Sequence, residues 1–310
     1  MSKRGSALLF VVLAVVWGTA FVAIKAGLDF FPPVLFAAVR YDVAAVLMVA
    51  YVALTDDYWL PRTRADWLTL VVGGTLLVAL YNAFLFVGQQ GVTSGVAAIL
   101  VGMTPIFSTA FSRLLLPSER LTAVGLVGLV LGFAGVVLVA RPDPANLLGN
   151  AASGLVVLAA VTVALGSVLI QRLEGGISSE GMVAWSNVIG AVLLHAISLG
   201  LPAESVADVT VTTLAVAAVT YLAVFATAVG YVVYFDLLER LGAIEITLVT
   251  YAVPVVAAVT GWALLGEVLA ALDIVGFLVI FAGFLLLKRD AVRAGLTPVV
   301  ARVRSARRER

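Results

Sequence analysis

The 310-residue chain has no cysteine, a single histidine, and charged side chains at only 12% of its positions. Without cysteine there is no disulfide framework, no thiolate nucleophile and no cysteine-ligated zinc or iron–sulfur centre. His195 alone cannot assemble a metal site, so neither metal nor cofactor is expected. No H-E-x-x-H, no G-x-S-x-G and no pair of intramembrane aspartates occurs, which disfavours an intramembrane enzyme. No run of polar sequence is long enough for a separate soluble domain, and no nucleic-acid partner is expected.

What the chain has instead is apolar residue, 63% of the total at a mean hydropathy of +1.15. A soluble domain carries about 45 to 50% apolar and about 25% charged residues. The apolar residues fall in runs of roughly 18 to 25, the length that lets an α-helix cross a hydrocarbon core of about 30 Å. The sequence therefore predicts an all-α, multi-pass membrane protein in a lipid bilayer. Its spans lie near 6–28, 33–54, 67–88, 93–116, 122–140, 151–171, 181–200, 211–238, 243–265 and 269–287. The first run is longer than a signal peptide's apolar region and is expected to be retained.

Lys and Arg are retained on the cytoplasmic side of a membrane. With the N-terminus inside, that side collects Lys3, Arg4, Arg62, Arg64, Arg113, Arg120, Arg172, Arg240 and the basic tail from Lys288 to Arg310, whereas the outer loops hold Arg141 alone. Both termini are expected in the cytoplasm of a cell with this protein in its cytoplasmic membrane. The tail over 291–310 is read as a basic cytoplasmic segment.

The stretch VGMTPIFSTAFSRLLLPSE at 101–119 recurs as VTYAVPVVAAVTGWALLGE at 249–267. Pro105 and Glu119 fall opposite Pro254 and Glu267, and Gly128 and Gly135 opposite Gly276 and Gly283, each glycine pair 148 residues apart. This divides ten helices into two halves of five, 1–145 and 146–290. Five is odd, so the second half enters the membrane from the opposite side. Inverted repeats of this kind are typical of secondary transporters that rock about a midplane site. Within each half the proline leaves a carbonyl without its helical donor, tolerable in a bilayer only where protein or a cavity satisfies it, so Pro105 and Pro254 are read as gating kinks.

The chain also resembles the EamA-domain permeases of the drug/metabolite transporter superfamily over nearly its whole length. The likeness is carried by VVWGTAFVAIKAG at 15–27, by Pro33, Phe36 and Arg40, by the segment 93–138 and by the segment 221–267. The resemblance implies ten helices in two EamA repeats, cytoplasmic termini, and transport of small metabolites such as amino acids, often coupled to protons. The second half departs from the pattern, with no Trp-Gly equivalent to Trp17 and Gly18 and with Asn187 near the place where Arg40 would recur.

Ionisable groups within spans are default functional candidates, because an unpaired charge there costs about 2.5 to 3.5 kcal/mol. Lys25, Arg40 and Asp42 qualify, with ion pairs to Asp29 or Asp42 expected for the two cations and Asp42 expected to be the deepest carboxylate. An organic ligand fits a mostly apolar pathway with a few polar and aromatic groups. Trp17, Thr19, Tyr81, Asn82, Gln89, Trp185, Asn187, Tyr231, Tyr234 and Tyr251 could supply them. A small neutral or zwitterionic substrate is expected, moved by alternating access; a passive channel or a drug efflux protein is the alternative. Gly125, Gly128, Gly132 and Gly135 line one side of the fifth span and offer a close contact, either internal or in a homodimer.

Overall fold

The computed structural model describes residues 3–115, 123–140, 151–173, 175–242, 246 and 248–287. Among them there is no strand. The helices are α1 (Lys3–Gly27), α2 (Pro33–Thr55), α3 (Arg64–Gln89), α4 (Ser94–Leu115), α5 (Ala123–Ala140), α6 (Ala151–Leu173), α7 (Ser179–Gly200), α8 (Thr213–Leu241), α9 (Val249–Leu265) and α10 (Ala271–Leu287). Seven of them, α1 to α4 and α6 to α8, are long and apolar enough to cross a membrane, while α5, α9 and α10 are shorter apolar helices. The solvent that suits this surface is hydrocarbon: Leu54 is 88% exposed, Leu199 84% and Val46 70%. Glu119, Arg120, Arg141 and the basic tail lie outside the described residues.

At the starts of α2, α3, α4, α7 and α8 free N–H groups are answered locally or by a distant carboxylate, as apolar surroundings require. Pro33 opens α2 as its first residue, where the missing N–H costs nothing. The next two amides, of Val34 and Leu35, donate to the Glu204 carboxylate from the connection after α7. Thr63 and Asp66 form a reciprocal capping box at the start of α3. Thr93, Ser178 and Thr212 cap α4, α7 and α8 through their side-chain oxygens.

Two helices are wound wider than the rest. α3 passes through a π segment at Gly73–Leu80 and α8 through one at Tyr221–Val229, and the first residues of these segments, 73 and 221, are 148 apart. Each segment contains a carbonyl that takes a side-chain donor. Asn82 Nδ2 reaches the Val78 carbonyl at 2.7 Å, and Trp17 Nε1 reaches the Ala226 carbonyl at 3.1 Å. Val78 and Ala226 again differ by 148 positions. A change from π to α winding shifts the hydrogen-bond register, and side-chain donors supplement the backbone there: the Val78 carbonyl accepts both the Tyr81 amide and Asn82.

α5 lies against α10 through glycines. A Cβ on Gly135 would stand 2.8 Å from the Gly276 carbonyl, and one on Gly132 would meet Ile106 of α4 at 2.5 Å. The glycine surface of α5 thus serves contacts inside the chain. α1 lies against α9, where a Cβ on Gly18 would meet Val256 at 2.5 Å, and α2 packs along α7.

The two prolines sit differently from one another. α4 is interrupted at Gly102 and Met103, and Pro105 is the second residue after the break, so it opens a new helical stretch rather than kinking a continuous one. The Val101 carbonyl that Pro105 cannot bond accepts the Thr104 hydroxyl at 2.7 Å. Pro254, by contrast, lies inside continuous α9. A Cβ on Gly102 would be 3.5 Å from the Thr250 carbonyl, so the carbonyl that Pro254 leaves without its usual donor faces the break in α4.

Candidate functional site

The winding of α3 and α8 turns a set of polar and aromatic side chains toward α1 and α2. Arg40, only 8% exposed, extends from α2 and donates through Nη2 to the Thr227 hydroxyl of α8 at 3.0 Å. The same Nη2 lies 3.5 Å from the Tyr41 hydroxyl. Its guanidinium also stands over the rings of Tyr41 and Phe86, at 4.7 and 5.7 Å from their centroids. The Thr227 hydroxyl donates to the Leu222 carbonyl at 2.9 Å, leaving its lone pairs to Arg40. Asn82, fully buried, donates to the Tyr41 hydroxyl at 3.2 Å as well as to Val78. Tyr41 therefore joins Arg40 to Asn82.

Aromatic faces close the other side. The Trp17 indole packs edge-on to Tyr231 at 6.1 Å and against Tyr234 at 5.6 Å. Gly230 permits this, since a Cβ there would be 2.8 Å from Trp17 Nε1. The Tyr81 and Tyr231 side chains lie within electrostatic reach of Arg40 and Tyr41. Arg40 Nε and Asn82 Oδ1 are buried with no hydrogen-bond partner. Trp17, Arg40, Tyr81, Asn82, Tyr231 and Tyr234, all singled out by sequence, thus meet in one cluster built on α1, α2, α3 and α8. Tyr41 and Thr227 complete it and were missed. Tyr41 directly follows Arg40, and Thr227 is a hydroxyl in an apolar run, each too common a feature to stand out.

A second polar group forms where α1, α3 and α9 end and α4 begins. Gln89 donates to the Phe21 carbonyl at 2.5 Å. Lys25 Nζ donates to the carbonyls of Gln89 and Gln90, both at 2.9 Å. Lys25 therefore caps the end of α3, where carbonyls lack helical donors and the helix dipole favours a cation. The expected pairing of Lys25 with Asp29 or Asp42 is replaced by these carbonyls. Glu267, just past α9, accepts from the Ser94 amide at 2.9 Å and from the Ser94 hydroxyl at 3.2 Å, capping α4. Its repeat partner Glu119 lies outside the described residues.

Other candidates fall away from the cluster. Asp42 is not the deepest carboxylate: its side chain is 49% exposed on the outside of the bundle and pairs with His195 Nε2 at 2.8 Å. It cannot pair with Arg40, which points to Thr227. Trp185 stacks on Trp59 and donates to the Trp59 carbonyl at 2.9 Å, which ties it to the connection after α2. Tyr251 packs on Phe281 and Phe284 of α10, at 5.1 and 4.5 Å. Asn187 is buried with Nδ2 unpartnered and makes no hydrogen bond to the Arg40 group. Thr19 shares a short hydrogen bond with the Tyr221 hydroxyl and also bonds the Val15 carbonyl at 2.7 Å, at the margin of the cluster. Tyr221 leads from there to an open cleft of about 780 Å³ along α8, lined by Val216, Ala217, Thr220 and Phe225 and without a charged group.

Asp66 was also missed, although T-x-x-D before an apolar run is a capping-box signature. Its carboxylate takes the amides of Arg62 and Thr63 at 2.9 Å, those of Gly176 and Ile177 at 2.8 and 3.1 Å, and the Tyr58 hydroxyl at 2.7 Å. It ties the start of α3 to the segment before α7. The bond to Asp66 raises the Tyr58 hydroxyl above its ordinary range. Among the described residues no cluster of His, Asp and Glu suits a metal ion.

The chain is similar to known proteins over nearly its whole length. The EamA-like transporter family matches the chain twice, over residues 4–141 and 151–289. YedA of Escherichia coli, an uncharacterized inner membrane transporter, is 30% identical over 94% of this chain and 93% of its own. An uncharacterized transporter of Archaeoglobus fulgidus is 28% identical over 88% of this chain and 95% of its own. A Salmonella typhimurium protein named as a probable amino-acid metabolite efflux pump is 30% identical over 91% of this chain and 94% of its own. One solved structure shares the fold with a TM-score of 0.65 over 94% of this chain and 99% of its own, at 20% identity. With both long segments matched, the chain belongs to the EamA-like transporter family.

Proposed function

We propose that this protein is a secondary transporter of small neutral or zwitterionic metabolites, amino acids among them, working by alternating access between two inverted five-helix halves, 1–145 and 146–290. The observation that carries this reading is the cluster around Arg40, in which α1 and α2 of the first half bond and stack with α8 of the second, while α3 joins through the bond from Asn82 to Tyr41. A ligand held there touches both halves, so a rocking motion changes its exposure from one membrane face to the other. The 148-residue spacing of the two π segments and of the paired glycines supports an internal repeat. The efflux pump named for amino-acid metabolites supports the substrate class. Pro254 and the break before Pro105 meet where α4 faces α9, a suitable place for gating.

Counterflow in proteoliposomes tests the proposal. Vesicles loaded with unlabelled amino acids should accumulate the matching labelled amino acid transiently, and an imposed proton gradient should alter the rate if protons are coupled. Flux that never accumulates against a gradient points to a channel. Exchange of sugar phosphates with no response to any amino acid or uncharged metabolite removes the substrate class.

A further inference from the structure

We propose that Arg40 anchors a ligand carboxylate and that Asn82 Oδ1 accepts a donor next to it, so that the transported molecule is a small 2-amino or 2-hydroxy monocarboxylate; this rests on the transport reading above. A guanidinium stays charged at any physiological pH, and burying it without a counter-ion is costly. Arg40 is 8% exposed, yet among the described residues no carboxylate reaches it. Its protein acceptors are two neutral hydroxyls, of Thr227 and Tyr41, and its Nε has none. Both ring contacts satisfy the face of the cation and leave its donor edge open. A carboxylate is the group that takes two guanidinium N–H bonds side by side.

The neighbouring unpartnered group is an acceptor. Asn82 is fully buried and its Nδ2 is spent on Val78 and Tyr41, so its orientation is set, while Oδ1 has no donor. Arg40 and Asn82 both bond the Tyr41 hydroxyl, which brings an unanswered donor and an unanswered acceptor within the span of a small molecule. A 2-amino or 2-hydroxy acid carries an acceptor pair and a donor on adjacent carbons. A simple apolar or aromatic drug would leave both buried groups unpaired, and such mismatches are strongly rejected.

The test is ligand-induced thermal stabilisation of the purified full chain, using the proteinogenic amino acids, their 2-hydroxy analogues and the matching carboxamides. At least one acid should raise Tm, with its carboxamide binding about 10-fold or more weakly. Arg40→Gln should abolish the shift, and Asn82→Leu should weaken it. If Arg40→Gln does not fold, the acid-to-carboxamide ratio on the natural protein decides. Equal binding of an acid and its carboxamide, unchanged binding in a folded Arg40→Gln protein, or no response to any acid overturns the proposal. Counterflow of an uncharged metabolite that survives Arg40→Gln overturns it and leaves the transport reading standing. Binding of an acid by the natural protein with no flux in proteoliposomes overturns the transport reading alone.

Discussion

A Cβ on Gly128 would lie 2.6 Å from the carbonyl of Gly283, and a Cβ on Gly283 would lie 2.6 Å from the carbonyl of Gly128. Shifting the pair by 148 positions gives Gly276 and Gly135, which approach each other in the same reciprocal way at 2.9 and 2.8 Å. The backbones of α5 and α10 touch, and no side chain fits between them. Glycine is needed here for close approach, not for an unusual backbone angle.

Gly283→Ala and Gly128→Ala should therefore each destabilise the protein by about 1 to 3 kcal/mol, the cost of overpacking. Gly154→Ala on α6, where nothing lies within 4 Å, is the control and should be neutral or slightly stabilising. Thermal unfolding in detergent checks the ranking. Equal Tm values for all three would mean that α5 and α10 do not meet in this way.

The helical class and the membrane setting are legible in the sequence because hydropathy acts over some twenty residues at once. The side chain's direction is harder. Arg40 and Asp42 are neighbours in the sequence of α2, but two residues turn a helix by about 200°, so one enters the bundle and the other faces outward to His195. Trp185 and Tyr251 look like Trp17 and Tyr231 in composition, yet one is claimed by the Trp59 carbonyl and the other by the rings of α10. Whether an aromatic packs or lines a path depends on a partner far away in sequence. The π segments were also invisible, since Gly73–Leu80 reads as an ordinary apolar helix.

Glu267 is a capping residue at a distance, and its removal should loosen α4 rather than alter the Arg40 cluster. Glu267→Ala leaves the Ser94 amide without its acceptor and should cost about 1 to 2 kcal/mol. Glu267→Gln keeps an oxygen in place and should cost less. Hydrogen exchange over 94–101 gives the local readout, and exchange unchanged in Glu267→Ala would remove this role.

Thr104 answers the carbonyl that Pro105 leaves open, so its hydroxyl matters more than its shape. Thr104→Val preserves the branched side chain but leaves the Val101 carbonyl unsatisfied, at about 1 to 3 kcal/mol. Thr104→Ser should retain most of the stability. If Thr104→Val and Thr104→Ser unfold at the same temperature, the carbonyl has found another donor.

The orientation of the two halves is open to direct labelling, because the chain has no cysteine of its own. Position 266 is a poor place for a thiol: Gly266 ends α9 with φ at +67°, a conformation that costs a side chain strain. Asp57, after α2, and Ala203, after α7, are both exposed, and neither side chain serves as a helix cap. If the second half is inverted, these two corresponding turns lie on opposite faces of the membrane. The Lys and Arg distribution further places Asp57 inside and Ala203 outside. An impermeant maleimide added to intact cells should label Ala203→Cys and spare Asp57→Cys until the membrane is opened. Labelling of both before opening would defeat the inverted arrangement itself, while labelling of Asp57→Cys alone would keep the inversion and reverse the termini.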